Sequence, residues 1–81
     1  MWTLYMLRCA DGTLYTGITT DLERRIDEHN NSPKGAKFTR GRRPVECVFS
    51  QEFENRSEAS KEEMMMKKLT RPEKLELIKS Q

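Results

Sequence analysis

The sequence predicts a small α+β fold with the element order β-β-α-β-α-α, and three observations predict it. Two aromatic and apolar runs flank Asp11-Gly12. N-cap signatures open three helical stretches, at "TDLE", "NRSE" and "TRPE". One further strand-like run, "PVECVFSQ", separates the first helix from the second. A hairpin plus one strand with helices around it is an α+β arrangement. The 81 residues are enough for a single domain, 1–81, with a modest core.

Trp2 to Cys9 is rich in aromatic and apolar residues and suits a strand. Thr13 to Thr19 suits a second, and Asp-Gly between two such runs is a strong hairpin signal. Loop length decides which faces the two tyrosines occupy. A loop of Asp11-Gly12 alone sets Tyr5 opposite Ile18 and puts Tyr15 on the other face. A loop of Ala10-Asp11-Gly12 ends on glycine in the left-handed position that a bulged turn prefers. It sets Tyr5 opposite Gly17 and Leu7 opposite Tyr15, all four on one face. This second register is the expectation, and a slip by one residue would reverse the face. Glycine inside a strand weakens it and often marks close approach by a ligand or another backbone. In this register Gly17 leaves an open space beside the Tyr5 ring.

"TDLE", Thr20 to Glu23, reads as a capping box starting a helix that runs to about Asn30. Leu22, Ile26 and His29 share one helical stripe, with Arg25 one turn before His29. Arg25 in this setting lays its methylenes on the core and reaches water, and His29 ends the helix near its negative pole. Both placements are also compatible with a role in a site. Pro44 to Gln51 reads as the third strand. Asn55 opens a helix to about Leu69, and Thr70 opens a last one to about Lys79. In the longer of these, Ala59, Met65, Met66 and Leu69 form the apolar stripe. Glu62 falls near its middle and Glu63 at its edge, and geometry alone favours neither glutamate.

Net charge is only +2, so total charge does not argue for nucleic acid, but its distribution does. "KGAKFTRGRR" holds Lys34, Lys37, Arg40, Arg42 and Arg43 and no acid. Such a segment fits either a solvated loop or a phosphate-binding surface. The two cysteines, Cys9 and Cys47, lie far apart, and the single histidine leaves no common zinc spacing. Each reads as a small apolar strand residue. Arg8 and Asp11 interrupt any signal-peptide-like run, and no stretch approaches the roughly 20 apolar residues of a membrane span. A cytoplasmic protein without a membrane segment is expected.

"TLY" at Thr3 to Tyr5 followed by "YTG" at Tyr15 to Gly17 resembles the paired motif of the GIY-YIG nuclease superfamily. The resemblance continues through Arg25 and His29 in "TDLERRIDEH" and Glu63 in "ASKEE". It covers nearly the whole chain and is nearest to the short, stand-alone bacterial members. It implies a three-stranded antiparallel sheet flanked by helices, with the site on one face. It also implies an endonuclease that hydrolyses phosphodiester bonds, in DNA more than RNA, with little sequence preference and a role in DNA repair or processing. The alternative it leaves is a non-catalytic nucleic-acid-binding module on the same fold.

Residue by residue, the resemblance gives Tyr5 and Tyr15 the task of holding or deprotonating the attacking water. It gives Gly17 a bare backbone for the scissile phosphate, Arg25 the phosphate charge and His29 a helper role. Glu63 becomes the one carboxylate for a divalent metal, Mg²⁺ or Mn²⁺, which selects Glu63 over Glu62. A tyrosine acting as base needs its pKa lowered, which Arg25 and a metal would do. Lys34, Lys37, Arg40, Arg42 and Arg43 would grip the flanking backbone. Thr3, Leu4 and Thr16 depart from the motif letters. Leu75 to Ile78 stand where many members carry an asparagine, leaving Lys67, one turn after Glu63, to complete the site.

Overall fold

The computed structural model describes residues 1–80; the last residue of the expected 1–81 domain lies outside the described residues. The chain runs β1 (Trp2–Arg8), β2 (Leu14–Thr19), α1 (Leu22–Asn31), α2 (Lys37–Arg40), β3 (Glu46–Phe53), α3 (Arg56–Lys67) and α4 (Arg71–Lys79). The three strands form an antiparallel sheet in the order β2-β1-β3. The central strand β1 is accordingly the most apolar, with Leu4, Tyr5, Met6 and Leu7 all buried.

The hairpin takes the three-residue loop. Cys9 N donates to Thr13 O at 2.9 Å and Gly12 N to Cys9 O at 2.9 Å. Gly12 has φ +86°, the left-handed conformation that glycine adopts without penalty. The Asp11 carboxylate ties the turn by accepting from the Thr13 backbone and hydroxyl. The resulting register pairs Tyr5 with Gly17 and Leu7 with Tyr15, as the loop chemistry predicts.

Alternation along β1 then sorts the core into two layers. Tyr5, Leu7 and Cys9 pack with Val45, Tyr15, Leu22, Ile26 and Cys47, so α1 covers this face. Leu4, Met6 and Phe49 pack with Met66, Leu69, Leu77 and Ile78, so α3 and α4 cover the other. Both cysteines are free thiols in this packing.

Four details differ from the sequence reading. The N-cap of α1 is Asp21, not Thr20: its carboxylate accepts from Arg24 N at 3.1 Å. Thr19 Oγ1 in turn holds Asp21 N, which moves the helix start on by one. The strand β3 runs two residues later than expected, because its ladder with β1 begins at Arg8 opposite Glu46 and reaches Trp2 opposite Phe53. Val45 N is instead taken by the Asn30 side chain. The helix α3 ends at Lys67 rather than Leu69, and Met65 lies outside its buried stripe at 62% exposure. Ala59 and Met66 are the buried positions, so the stripe is centred on residues 59, 62, 63 and 66, and Met65 turns away by one residue's rotation. Finally, the basic segment contains the short helix α2. The α4 capping box forms as expected, with Thr70 and Glu73 bonded reciprocally.

Candidate functional site

The register brings Tyr5 across the strand onto Gly17. A side chain at position 17 would place its Cβ 2.6 Å from Tyr5 Oη and 2.8 Å from Cζ. The expected open space is therefore absent: the phenol ring of Tyr5 fills it. Only a residue without Cβ lets the ring lean over β2 in this way.

The Tyr5 hydroxyl meets α1 there. Its oxygen lies 3.0 Å from His29 Nε2, and both side chains are buried. His29 does not simply finish the helix near its negative pole; at 0% exposure it is the buried centre of a polar chain. His29 Nδ1 lies 2.8 Å from Thr39 Oγ1 on α2, and Thr39 Oγ1 donates to Ala36 O at 3.0 Å. The rings of Tyr5 and Tyr15 both meet the imidazole edge-on, with centroids at 5.9 and 5.3 Å. Tyr15 is half-buried and stacks on Phe38 at 5.7 Å.

Burial dominates the titration of this pair. It pushes the Tyr5 phenol up to about 12, against the pull of the Arg25 guanidinium beside the hydroxyl; the charges of Tyr15 and Glu63 also raise it. Desolvation outweighs the arginine at Tyr5, so Arg25 alone does not bring the phenol below its ordinary value. Burial likewise takes His29 from the ordinary 6.5 down to about 4, helped by Arg25 and Arg43 and opposed by Glu28. His29 is neutral at pH 7.

Arg25 sits on α1, tethered through Nη1 to Glu28 Oε1 at 3.0 Å and to Lys34 O at 2.9 Å. Its planar fork keeps further donors for an anion. Glu63 projects from α3 with its side chain 21% exposed, paired with Lys67 at 3.4 Å. Its charge acts on Tyr5, raising the phenol's pKa. Among the described residues no group of three or more His, Cys, Asp or Glu side chains could enclose an ion. A lone half-buried carboxylate fits a Mg²⁺ or Mn²⁺ that keeps several waters and takes other ligands from phosphate. It does not fit a closed structural site.

The basic residues divide. Lys34, Lys37 and Arg40 are exposed, and none of the three pairs with a carboxylate among the described residues. Arg40 reaches Pro33 O. Arg42 lies over the Phe38 ring at 4.2 Å, with Nε 3.0 Å from Asp11 Oδ2. Arg43 is turned inward, donating to the carbonyls of His29 and Ser32 at the end of α1. Such bonds satisfy carbonyls that a helix end leaves unpaired. Sequence reasoning missed Thr39 and Asn30. Asn30 bonds both backbone groups of Val45, at 2.7 and 3.1 Å, and joins α1 to the entry of β3.

A family model described as the GIY-YIG catalytic domain matches residues 1–76. The chain is 54% identical over 79 residues to the UPF0213 protein DP2720 of Desulfotalea psychrophila, covering 98% of this chain and 72% of that protein. It is 54% identical over 77 residues to the UPF0213 protein CPE1444 of Clostridium perfringens, covering 95% and 82%. Among solved structures it is similar to the solution NMR structure of the UPF0213 protein BH0048 from Bacillus halodurans. There the TM-score is 0.64 at 44% identity, over 100% of this chain and 86% of that one. The NMR structure of EF2693 from E. faecalis gives 0.65 at 48% identity, over 96% and 82%.

Proposed function

Because this chain belongs to the GIY-YIG catalytic domain family, we propose that it is a divalent-metal-dependent endonuclease acting on nucleic acid, DNA in preference to RNA. One observation carries the reading. The Tyr5 oxygen is held over Gly17, bonded to a neutral buried imidazole, with the Arg25 guanidinium and the Glu63 charge acting on it.

With its pKa near 12, Tyr5 is a neutral phenol at pH 7 and does not wait as a phenolate. It acts as a relay. The attacking water gives a proton to the Tyr5 oxygen as the Tyr5 proton passes to His29 Nε2. The water oxygen forms its bond to phosphorus, the bond to the leaving oxygen breaks, and that oxygen takes a proton from solvent. A neutral His29 is available to receive the proton at any pH well above about 4. Arg25 stabilises charge on the non-bridging oxygens. Glu63 would hold a divalent cation, which would supply further charge neutralisation at the phosphate. Tyr15 walls the imidazole, its ring meeting it edge-on at 5.3 Å. Lys34, Lys37 and Arg40 take the flanking backbone, and contacts to phosphate carry no sequence information, which suits binding with little sequence preference.

Cleavage of labelled single-stranded, duplex and branched DNA, and of RNA, with Mg²⁺ or Mn²⁺ tests this reading. Wild type cuts at least one substrate and an identically purified Glu63→Ala variant cuts none. Salt-sensitive binding by both proteins with no cleavage by either would replace the enzyme with a binding module.

A further inference from the structure

Thr39 touches neither metal nor substrate in the proposed reaction, yet it is 0% exposed and bonded at both ends. Its hydroxyl has one proton. The Ala36 carbonyl can only accept, so that proton points to Ala36 O, 3.0 Å away. Thr39 Oγ1 therefore accepts from His29 Nδ1, 2.8 Å away. A neutral imidazole carries one N–H, so a proton on Nδ1 leaves Nε2 as an acceptor. The Tyr5 hydroxyl, 3.0 Å from Nε2, must then donate. Arg25 agrees with this direction from the other side: a guanidinium only donates, which leaves the Tyr5 proton for the imidazole.

We propose that Thr39 is a positioning residue that fixes His29 as the Nδ1–H tautomer and so sets the direction of the Tyr5–His29 hydrogen bond. The backbone holds Thr39 for this purpose. Thr39 N donates to Ala36 O at 3.1 Å and Arg42 N to Thr39 O at 3.0 Å, closing α2 around it. Without the Thr39 hydroxyl, Nδ1 has no acceptor, the proton moves to Nε2, and the bond to Tyr5 reverses. A reversed bond leaves Nε2 unable to take the Tyr5 proton. The catalytic consequence rests on the relay proposed above; the tautomer does not.

The chain has a single histidine, so its side-chain nitrogens can be read without assignment ambiguity. Long-range ¹H–¹⁵N correlation on uniformly ¹⁵N-labelled protein at pH 7 distinguishes a protonated from a lone-pair nitrogen at each ring position. Wild type shows Nδ1 protonated and Nε2 bare. Thr39→Val shifts the population to Nε2–H, and Thr39→Ser restores the wild-type pattern. In cleavage, Thr39→Val lowers kcat at least tenfold with little change in KM, and Thr39→Ser recovers it. Wild type with Nε2–H predominant would overturn the proposal, whatever becomes of the variants. So would a folded Thr39→Val that keeps the Nδ1–H tautomer. The expected tautomers in a protein that cuts nothing would sink the nuclease reading and leave this one standing.

Discussion

Replacing Gly17 with alanine puts a methyl carbon 2.6 Å from Tyr5 Oη and 2.8 Å from Cζ. Non-bonded heavy atoms prefer roughly 3.5 Å or more, so the ring must retreat by roughly 1 Å. Tyr5 is 1% exposed, so its ring cannot swing into solvent without leaving the core. A retreat of that size also stretches the 3.0 Å bond to His29 beyond hydrogen-bonding range. Overpacking costs about 1–3 kcal/mol and the lost bond about 1 kcal/mol. Alanine returns about 0.5–1 kcal/mol by restricting the unfolded chain. The net expectation is a loss of about 1–3 kcal/mol, or a fall in Tm of roughly 5–20 °C for a domain of this size. Thermal unfolding followed by circular dichroism reads it. A double-mutant cycle with Tyr5→Phe locates it: removing Oη deletes the closest contact, so the alanine penalty shrinks by about 0.5–2 kcal/mol. A Gly17→Ala protein as stable as wild type, or a penalty unchanged in the Tyr5→Phe background, would refute the claim that glycine is there to seat the tyrosine.

Three further outcomes follow from the site. Between pH 6.5 and about 4 the unfolded chain binds a proton at His29 that the native state excludes. Stability therefore falls with falling pH in that window, by about 2 kcal/mol from pH 7 to 5. The groups acting on His29 are Arg25, Glu28 and Arg43; hydrogen bonds from Thr13 and Thr70 hold the carboxyls of Asp11 and Glu73 below their ordinary values. Denaturant titrations should show the slope in wild type and lose it in His29→Gln; a flat wild-type profile contradicts the assignment. Lys34→Gln/Lys37→Gln should weaken nucleic-acid binding and lower the log–log salt slope by about 1.5, with Tm unchanged. Arg43→Ala, by contrast, unpairs the end of α1 and should cost about 1–3 kcal/mol of stability. Finding the stability loss at the lysines instead would reverse the division of the basic segment.

Those outcomes depend on features that differ in how far the chain betrays them. The hairpin register was legible because loop length, the left-handed demand at Gly12 and the face of each tyrosine are one linked choice. The family motif residues Tyr5, Tyr15, Arg25, His29 and Glu63 were legible as an ordered set. The contents of the space beside Tyr5 were not: a glycine shows that something approaches closely, and only the fold reveals that the tyrosine itself does. Met65 was misplaced because a run of three methionines carries no phase, and the burial of Ala59 and Met66 decides it. Thr39 lay hidden among five cations, where composition speaks for solvent and one inward hydroxyl leaves no periodic trace. The rise in the Tyr5 pKa was not legible either, because the burial that outweighs the visible arginine leaves no mark in the sequence.

The most direct test of the proposed relay is Tyr5→Phe, which removes only the oxygen bonded to His29 Nε2. Single-turnover cleavage with Mg²⁺ or Mn²⁺ should fall at least ~100-fold, a loss typical of removing a positioned proton-transfer group. Nucleic-acid affinity should stay within a few-fold of wild type. Cleavage by Tyr5→Phe at the wild-type rate would contradict the account, because the hydroxyl bonded to the imidazole, with the Arg25 guanidinium beside it and the Glu63 charge acting on it, would then have no part in the chemistry.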